Sequence, residues 1–140
     1  MKLENTLSII KPDAVKNRKS GDIISFIEEK GFNIIAKKKI KLNSSQAENF
    51  YSIHKDRPFF NDLVNFMTSG PVIVQVLEKD EAVSYYREIM GNTDPEKAKE
   101  NTIRNLYGTN IQCNAVHGSD STENAVKEIS FFFSTLEIIK

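Results

Sequence analysis

The chain has 140 residues, 19 Lys and Arg against 19 Asp and Glu, a formal charge of zero, two histidines and one cysteine. That length suits one domain spanning 1–140 with one sizeable core; the even charge argues against a nucleic-acid binder, which would carry a basic excess, and the lone Cys113 excludes an internal disulfide and fits a reducing compartment. No apolar run is long enough for a signal-peptide core near the N-terminus, or for the roughly 20 residues of a membrane span, so a soluble cytoplasmic protein is expected.

Residues 6–10 (TLSII) form a β-prone run stopped by Lys11-Pro12-Asp13, because proline fixes φ and biases the residue before it towards extended backbone. Lys11 is therefore expected at a strand end, facing out of the sheet edge. From Ser20-Gly21, the spacing of Ile23, Ile24, Phe26 and Ile27 predicts an amphipathic helix that Gly31 ends as a C-cap. Residues 32–42 alternate in part and carry Lys37, Lys38, Lys39 and Lys41. They read as a strand with one solvated face, the lysines protecting an edge rather than forming a nucleic-acid patch. Asn43-Ser44-Ser45-Gln46 has capping character, with Glu48 three residues after Ser45, and a short helix through Tyr51 is expected to follow. Residues 59–67 read as another helix, Ser69-Gly70-Pro71 as a turn, and residues 72–77 (VIVQVL) as a central strand.

Asp80 is then expected to cap a helix running to Met90, Gly91 to Asp94 to form a loop, and Pro95 to open a further short helix. Residues 102–107 read as helical, and a last short strand enters His117. Asp120 with Glu123 resembles a capping box for a final helix whose apolar face is Ala125, Val126, Ile129, Phe132 and Phe133. Strands interrupted by helices of unequal length predict an α+β fold: a ferredoxin-like βαββαβ arrangement, with a four-stranded antiparallel sheet and helices packed on it. A doubly wound parallel sheet is the competitor, but it wants more strands.

Chemistry concentrates at His117. Imidazole is a nucleophile or base at cellular pH, Gly118 permits close backbone approach, and Ser119 and Asp120 lie at a helix N-terminus, which favours negative charge. Glu128, two turns into that helix, could bond one ring nitrogen and leave the other free to attack, although spacing alone equally describes a solvated glutamate. His54, among Lys55, Asp56 and Arg57, reads as a solvated surface residue. There is no phosphate-binding GxxxxGK[ST] loop and no GxGxxG motif, so a nucleotide would need separate side chains. Lys11, Arg57, Arg87 and Arg104 are candidates for phosphate oxygens. Of the adjacent Phe59 and Phe60, one is expected in the core and one exposed, where it could stack on a base.

Together these residues resemble the nucleoside diphosphate kinase family. The resemblance rests on Asn114-x-x-His117-Gly118-Ser119-Asp120-Ser121 with Glu128, and on IKPDAV at 10–15, KDRPFF at 55–60, TSGPV at 68–72, MGNTDP at 90–95 and TIR at 102–104, in family order. It implies ping-pong phosphoryl transfer between nucleoside tri- and diphosphates, with His117 carrying the phosphoryl group on Nδ1. By the same resemblance Glu128 and Ser119 orient the imidazole, and Lys11 and Tyr51 reach the transferring group. Arg87, Thr93 and Arg104 hold the other phosphates. Asn114, with Lys11, contacts the sugar. Phe59 stacks on the base, with Leu63 and Ile111 as apolar walls. Magnesium, held mainly by the nucleotide phosphates, is the implied cofactor, with no protein metal ligands. Broad base specificity and a homo-oligomer of bacterial type are implied, with neither a membrane nor a nucleic-acid partner. The alternative is a non-catalytic nucleotide- or nucleic-acid-binding module on the same fold.

Overall fold

A computed structural model of the chain describes residues 2–140. Among them a four-stranded antiparallel sheet has the order β2-β3-β1-β4, built from β1 (Leu3–Ile10), β2 (Asn33–Ile40), β3 (Val72–Asp80) and β4 (Val116–Gly118). The two long strands β1 and β3 form the centre in continuous register from Leu3↔Asp80 to Ile10↔Ile73. Strand β2 lies at an edge, where Lys37 and Lys39 meet solvent as expected while Lys38 packs over Phe133 and pairs with Glu137, and an irregularity between Ile34 and Ala36 shifts its register.

Helices cover both sheet faces. On one, α2 (Ser20–Glu29) and α5 (Ala82–Met90) pack Ile23, Ile27, Tyr86 and Ile89 against Ile10, Ile73 and Leu77. On the other, α3 (Ser44–Phe50), α4 (Phe60–Met67) and α7 (Thr122–Phe132) pack Ala47, Val64, Met67 and Ile129 against Leu7, Ile9, Val74 and Val76. This double cover explains why TLSII and VIVQVL are almost uninterrupted apolar runs: every position of Val72 to Leu77 is buried, so no alternation is left to read. The ferredoxin-like arrangement is the one observed, with an extra helical layer on the second face.

Several local expectations are corrected. The sequence reading missed α1 (Pro12–Lys16), which begins on the proline that was read as a stop; proline at the first helical position costs no hydrogen bond. The capping stretch expected at residues 43–46 does cap α3, through Asn43 paired reciprocally with Gln46 and not through Ser45 with Glu48. Strand β3 runs through Asp80, so Glu81, with φ +51°, precedes α5 and makes no side-chain cap. Ser121, not Asp120, caps α7 by accepting the Asn124 N–H at 3.1 Å. Val126 is 66% exposed and leaves the predicted apolar face. Residues 95–97 form a single 3-10 turn, and α6 (Ile103–Tyr107) follows from a Thr102 cap.

Candidate active site

His117 sits in the middle of β4, opposite Ile9 of β1. Residues paired across antiparallel strands share a face, so His117 projects on the side covered by α3 and α7. Gly118 allows this packing: a Cβ there would lie 2.6 Å from Met90 Sδ and 2.8 Å from Tyr86 Cδ2. From α7, Glu128 Oε1 accepts from His117 Nε2 at 3.0 Å and from Ser119 Oγ at 2.8 Å. Ser119 is anchored in turn, its Oγ accepting the Leu7 N–H at 3.2 Å. A carboxylate can only accept, so Nε2 carries the ring proton and Nδ1 keeps the lone pair. The spacing of eleven residues, which alone did not separate a partner from a solvated glutamate, is resolved by the half-buried pair. Aromatic rings complete the setting: Phe50 meets the imidazole edge-on with centroids 5.6 Å apart, and Tyr51 does so at 6.5 Å.

The imidazole opens on a cleft of about 630 Å³ lined by Asn49 to His54, Arg87, Thr93, Arg104, His117, Gly118, Asp120, Asn124, Lys127, Glu128 and Phe131. Its cations are Arg87, Arg104 and Lys127. Arg104 is held by the carbonyls of Gly91 and Val116 at 3.2 and 2.9 Å, while its buried Nε has no protein acceptor among the described residues. Burial lowers the pKa of Arg104 to about 10, which leaves it charged at neutral pH. The Tyr51 hydroxyl is likewise buried with no hydrogen-bond partner among the described residues; burial first, and the Glu128 charge second, push its pKa up, so it stays a protonated donor.

Lys11 corrects the sequence reading. It does not face out of the sheet edge but is 9% exposed, with Nζ donating to Asn114 Oδ1 at 2.8 Å. Burial, then repulsion from Arg104, lowers its pKa to about 8. Asn114 Nδ2 continues the chain of contacts to the Thr93 carbonyl at 3.1 Å. The structure thus brings Tyr51, Arg87, Thr93, Arg104, His117 and Glu128 to one cleft, with Ser119 behind the glutamate and the Lys11–Asn114 pair joined through Thr93. Phe59 is 48% exposed at the start of α4 and lies beside the His54 ring, centroids 5.4 Å apart. His54 is accordingly no free surface residue; it is partly buried and lines the cleft. Leu63 is half-buried against the core. Ile111 is 61% exposed on a separate shallow surface with Asp94 and Gln112. Phe50, Lys127 and Phe131 were not singled out from sequence; the α-helical spacing of Asn124, Lys127, Glu128 and Phe131 on one face of α7 was the available signal.

No helix among the described residues is long and apolar enough to cross a membrane. A family model described as nucleoside diphosphate kinase matches residues 4–138. A nucleoside diphosphate kinase of Persephonella marina is 55% identical over 140 residues, covering 100% of both chains. One of Wolbachia pipientis from Culex pipiens is 59% identical over 139 residues, 99% of this chain and 100% of its own. Among solved structures, the nucleoside diphosphate kinase of Aquifex aeolicus superposes with a TM-score of 0.96 at 45% identity, covering 99% of this chain and 100% of its own. That of Halobacterium salinarum in complex with CDP gives 0.95 at 37% identity, covering 99% and 93%.

Proposed function

The chain belongs to the nucleoside diphosphate kinase family and has that family's phosphotransferase activity; from this premise we propose that His117 is the phosphoryl carrier and that the 630 Å³ cleft receives the nucleotides. The observation that carries the reading is the His117–Glu128 bond, which pins the proton on Nε2 and leaves Nδ1 with its lone pair.

In the first half-reaction the Nδ1 lone pair attacks the terminal phosphorus of a nucleoside triphosphate. The phosphorus–oxygen bond to the β-phosphate breaks, and the nucleoside diphosphate departs with that electron pair. The ring, now positive, is stabilised by Glu128 through Nε2–H. A terminal oxygen of a second nucleoside diphosphate then attacks the same phosphorus, and the phosphorus–nitrogen bond breaks back to neutral imidazole. Positioning and charge stabilisation dominate such transfers. Arg104 and Tyr51 supply buried donors, Arg87 and Thr93 bind the remaining phosphates, and Lys11 with Asn114 approaches the transferring group and the sugar. Phe59 offers the base a ring face, with Leu63 and Ile111 as candidate walls; stacking without edge recognition supports broad base specificity.

The donor set fits magnesium, which is held largely by substrate phosphates and keeps several waters. Asp120, exposed on the cleft, would be available to that water shell. When bound, the ion neutralises charge on the phosphate oxygens. The chain is read as one cytoplasmic domain that self-associates, for which size exclusion with light scattering is the measurement.

The test is labelling. Incubation with γ-labelled ATP gives an acid-labile, alkali-stable phosphoprotein, and His117→Asn loses both label and turnover. A His117→Asn protein that still takes label overturns the assignment.

A further inference from the structure

The chain enters β4 through a turn of uncommon form. The Val116 N–H donates to the Asn114 carbonyl at 2.9 Å, and between them Ala115 has φ +73°. A hydrogen bond from residue i+2 to residue i across a positive central φ is the rare, strained form of the γ-turn. Alanine pays a steric penalty there that glycine would not. Ala115 is fully buried, so its own N–H and C=O must find partners inside the protein. Both partners come from one short segment. The Ala115 carbonyl accepts from Lys11 N–H at 2.8 Å, and the Ala115 N–H donates to Asp13 Oδ2 at 3.2 Å.

The turn joins the site together. Asn114 at its start bonds Lys11 Nζ, the Val116 carbonyl at its end accepts from Arg104, and His117 comes next. The other oxygen of Asp13, Oδ1, is buried with no hydrogen-bond partner among the described residues, and the carboxylate lies in the first turn of α1 near the Asp13 and Ala14 backbone N–H groups and the Lys11 charge. We propose that Asp13 is a positioning residue for phosphoryl transfer: by accepting the Ala115 N–H it holds the strained turn that sets Lys11, Asn114, Arg104 and His117 relative to one another.

The proposal rests on His117 as the phosphoryl carrier. A wild-type chain that takes no label overturns that reading; a labelled wild type with an indifferent Asp13→Ala variant overturns only this one. The experiment compares steady-state kcat and KM for Asp13→Asn, Asp13→Ala and Asp13→Ala/Ala115→Gly in the full chain, at a temperature where thermal melts show each folded. Asp13→Ala is expected to lose on the order of 10- to 100-fold in kcat. Asp13→Asn keeps an acceptor for the same N–H and stays at least about fivefold above it. Adding Ala115→Gly restores kcat by at least about threefold, because glycine adopts the turn without the clamp. Wild-type kinetics in Asp13→Ala, an Asp13→Asn variant as slow as Asp13→Ala, or no recovery in the double variant overturns the proposal. If Asp13→Ala does not fold, the other two decide: both must turn over within about 30-fold of wild type, and a larger loss in either overturns it.

Discussion

At the scale of single residues, two side chains set the reactivity of the imidazole and its surroundings. Glu128 receives both His117 Nε2–H and Ser119 Oγ–H on one oxygen, so removing it frees the ring to change tautomer and orientation. Glu128→Ala should lower kcat on the order of 100-fold, and Glu128→Gln, which keeps an acceptor but no charge, should fall between it and wild type. Equal rates for all three in a coupled assay would remove the orienting role. Lys11 makes the second prediction. Its pKa falls from 10.5 in the unfolded chain to about 8 in the fold, with burial the largest cause. Below pH 8 both states hold the proton; between about 8 and 10.5 only the unfolded chain does, so stability rises with pH across that window while the site loses a cation. For the free enzyme, kcat/KM should therefore fall as pH rises through about 8. Bound phosphate should move the limb upward in kcat. Lys11→Gln should be slow at every pH and lack the limb; a persisting limb assigns it to another group.

At the scale of elements, the site depends on how closely β4 can approach α5. A methyl group at Gly118 would enter the fully buried Tyr86 ring, whose hydroxyl is already engaged with Ser8 at 2.8 Å. Gly118→Ala should therefore cost about 1–3 kcal/mol, lower Tm by about 3–10 °C, and reduce kcat, because β4 carries His117. A change in neither quantity would show that α5 yields freely. Ser121→Ala separates stability from chemistry: losing the cap of α7 should cost about 1 kcal/mol with little effect on kcat. The elements differ in how readable they were. Period and composition exposed α2, α4 and β3, whose apolar residues meet one layer or two. The helix starts at Glu81 and Ser121 were each misplaced by one residue, and within the stretch 43–46 the capping pair was left unresolved, because several adjacent polar residues offer a capping oxygen and only backbone geometry chooses among them. The short α1 was lost because proline stops a helix from within yet starts one from its first position.

At the scale of the molecule, topology does what sequence order could not. The His117 motif and the family blocks were legible in the chain, and the alternation of strands with helices pointed to the observed sheet. Nothing local, however, could turn Lys11 inward: its burial follows from α1 folding over the end of β1 and from the arrival of Asn114 103 residues later. The cleft is accordingly assembled from α3, α5, the loop around Thr93, α6, β4 and α7, contributed by the chain from Asn49 to Phe131. A ligand spanning these elements binds only the folded chain, so its binding energy adds to global stability. With nucleotide at about 100 times its Kd, the gain is about 2.7 kcal/mol, a Tm increase of about 10 °C for a chain of this size. Arg87 isolates the ligand's share. It lines the cleft but is exposed and has no ion-pair partner among the described residues. Arg87→Ala should leave the unliganded Tm within about 2 °C of wild type while shrinking the nucleotide-induced shift at the same concentration. A full shift in that variant would place the phosphates away from α5, and with them the proposed geometry of transfer.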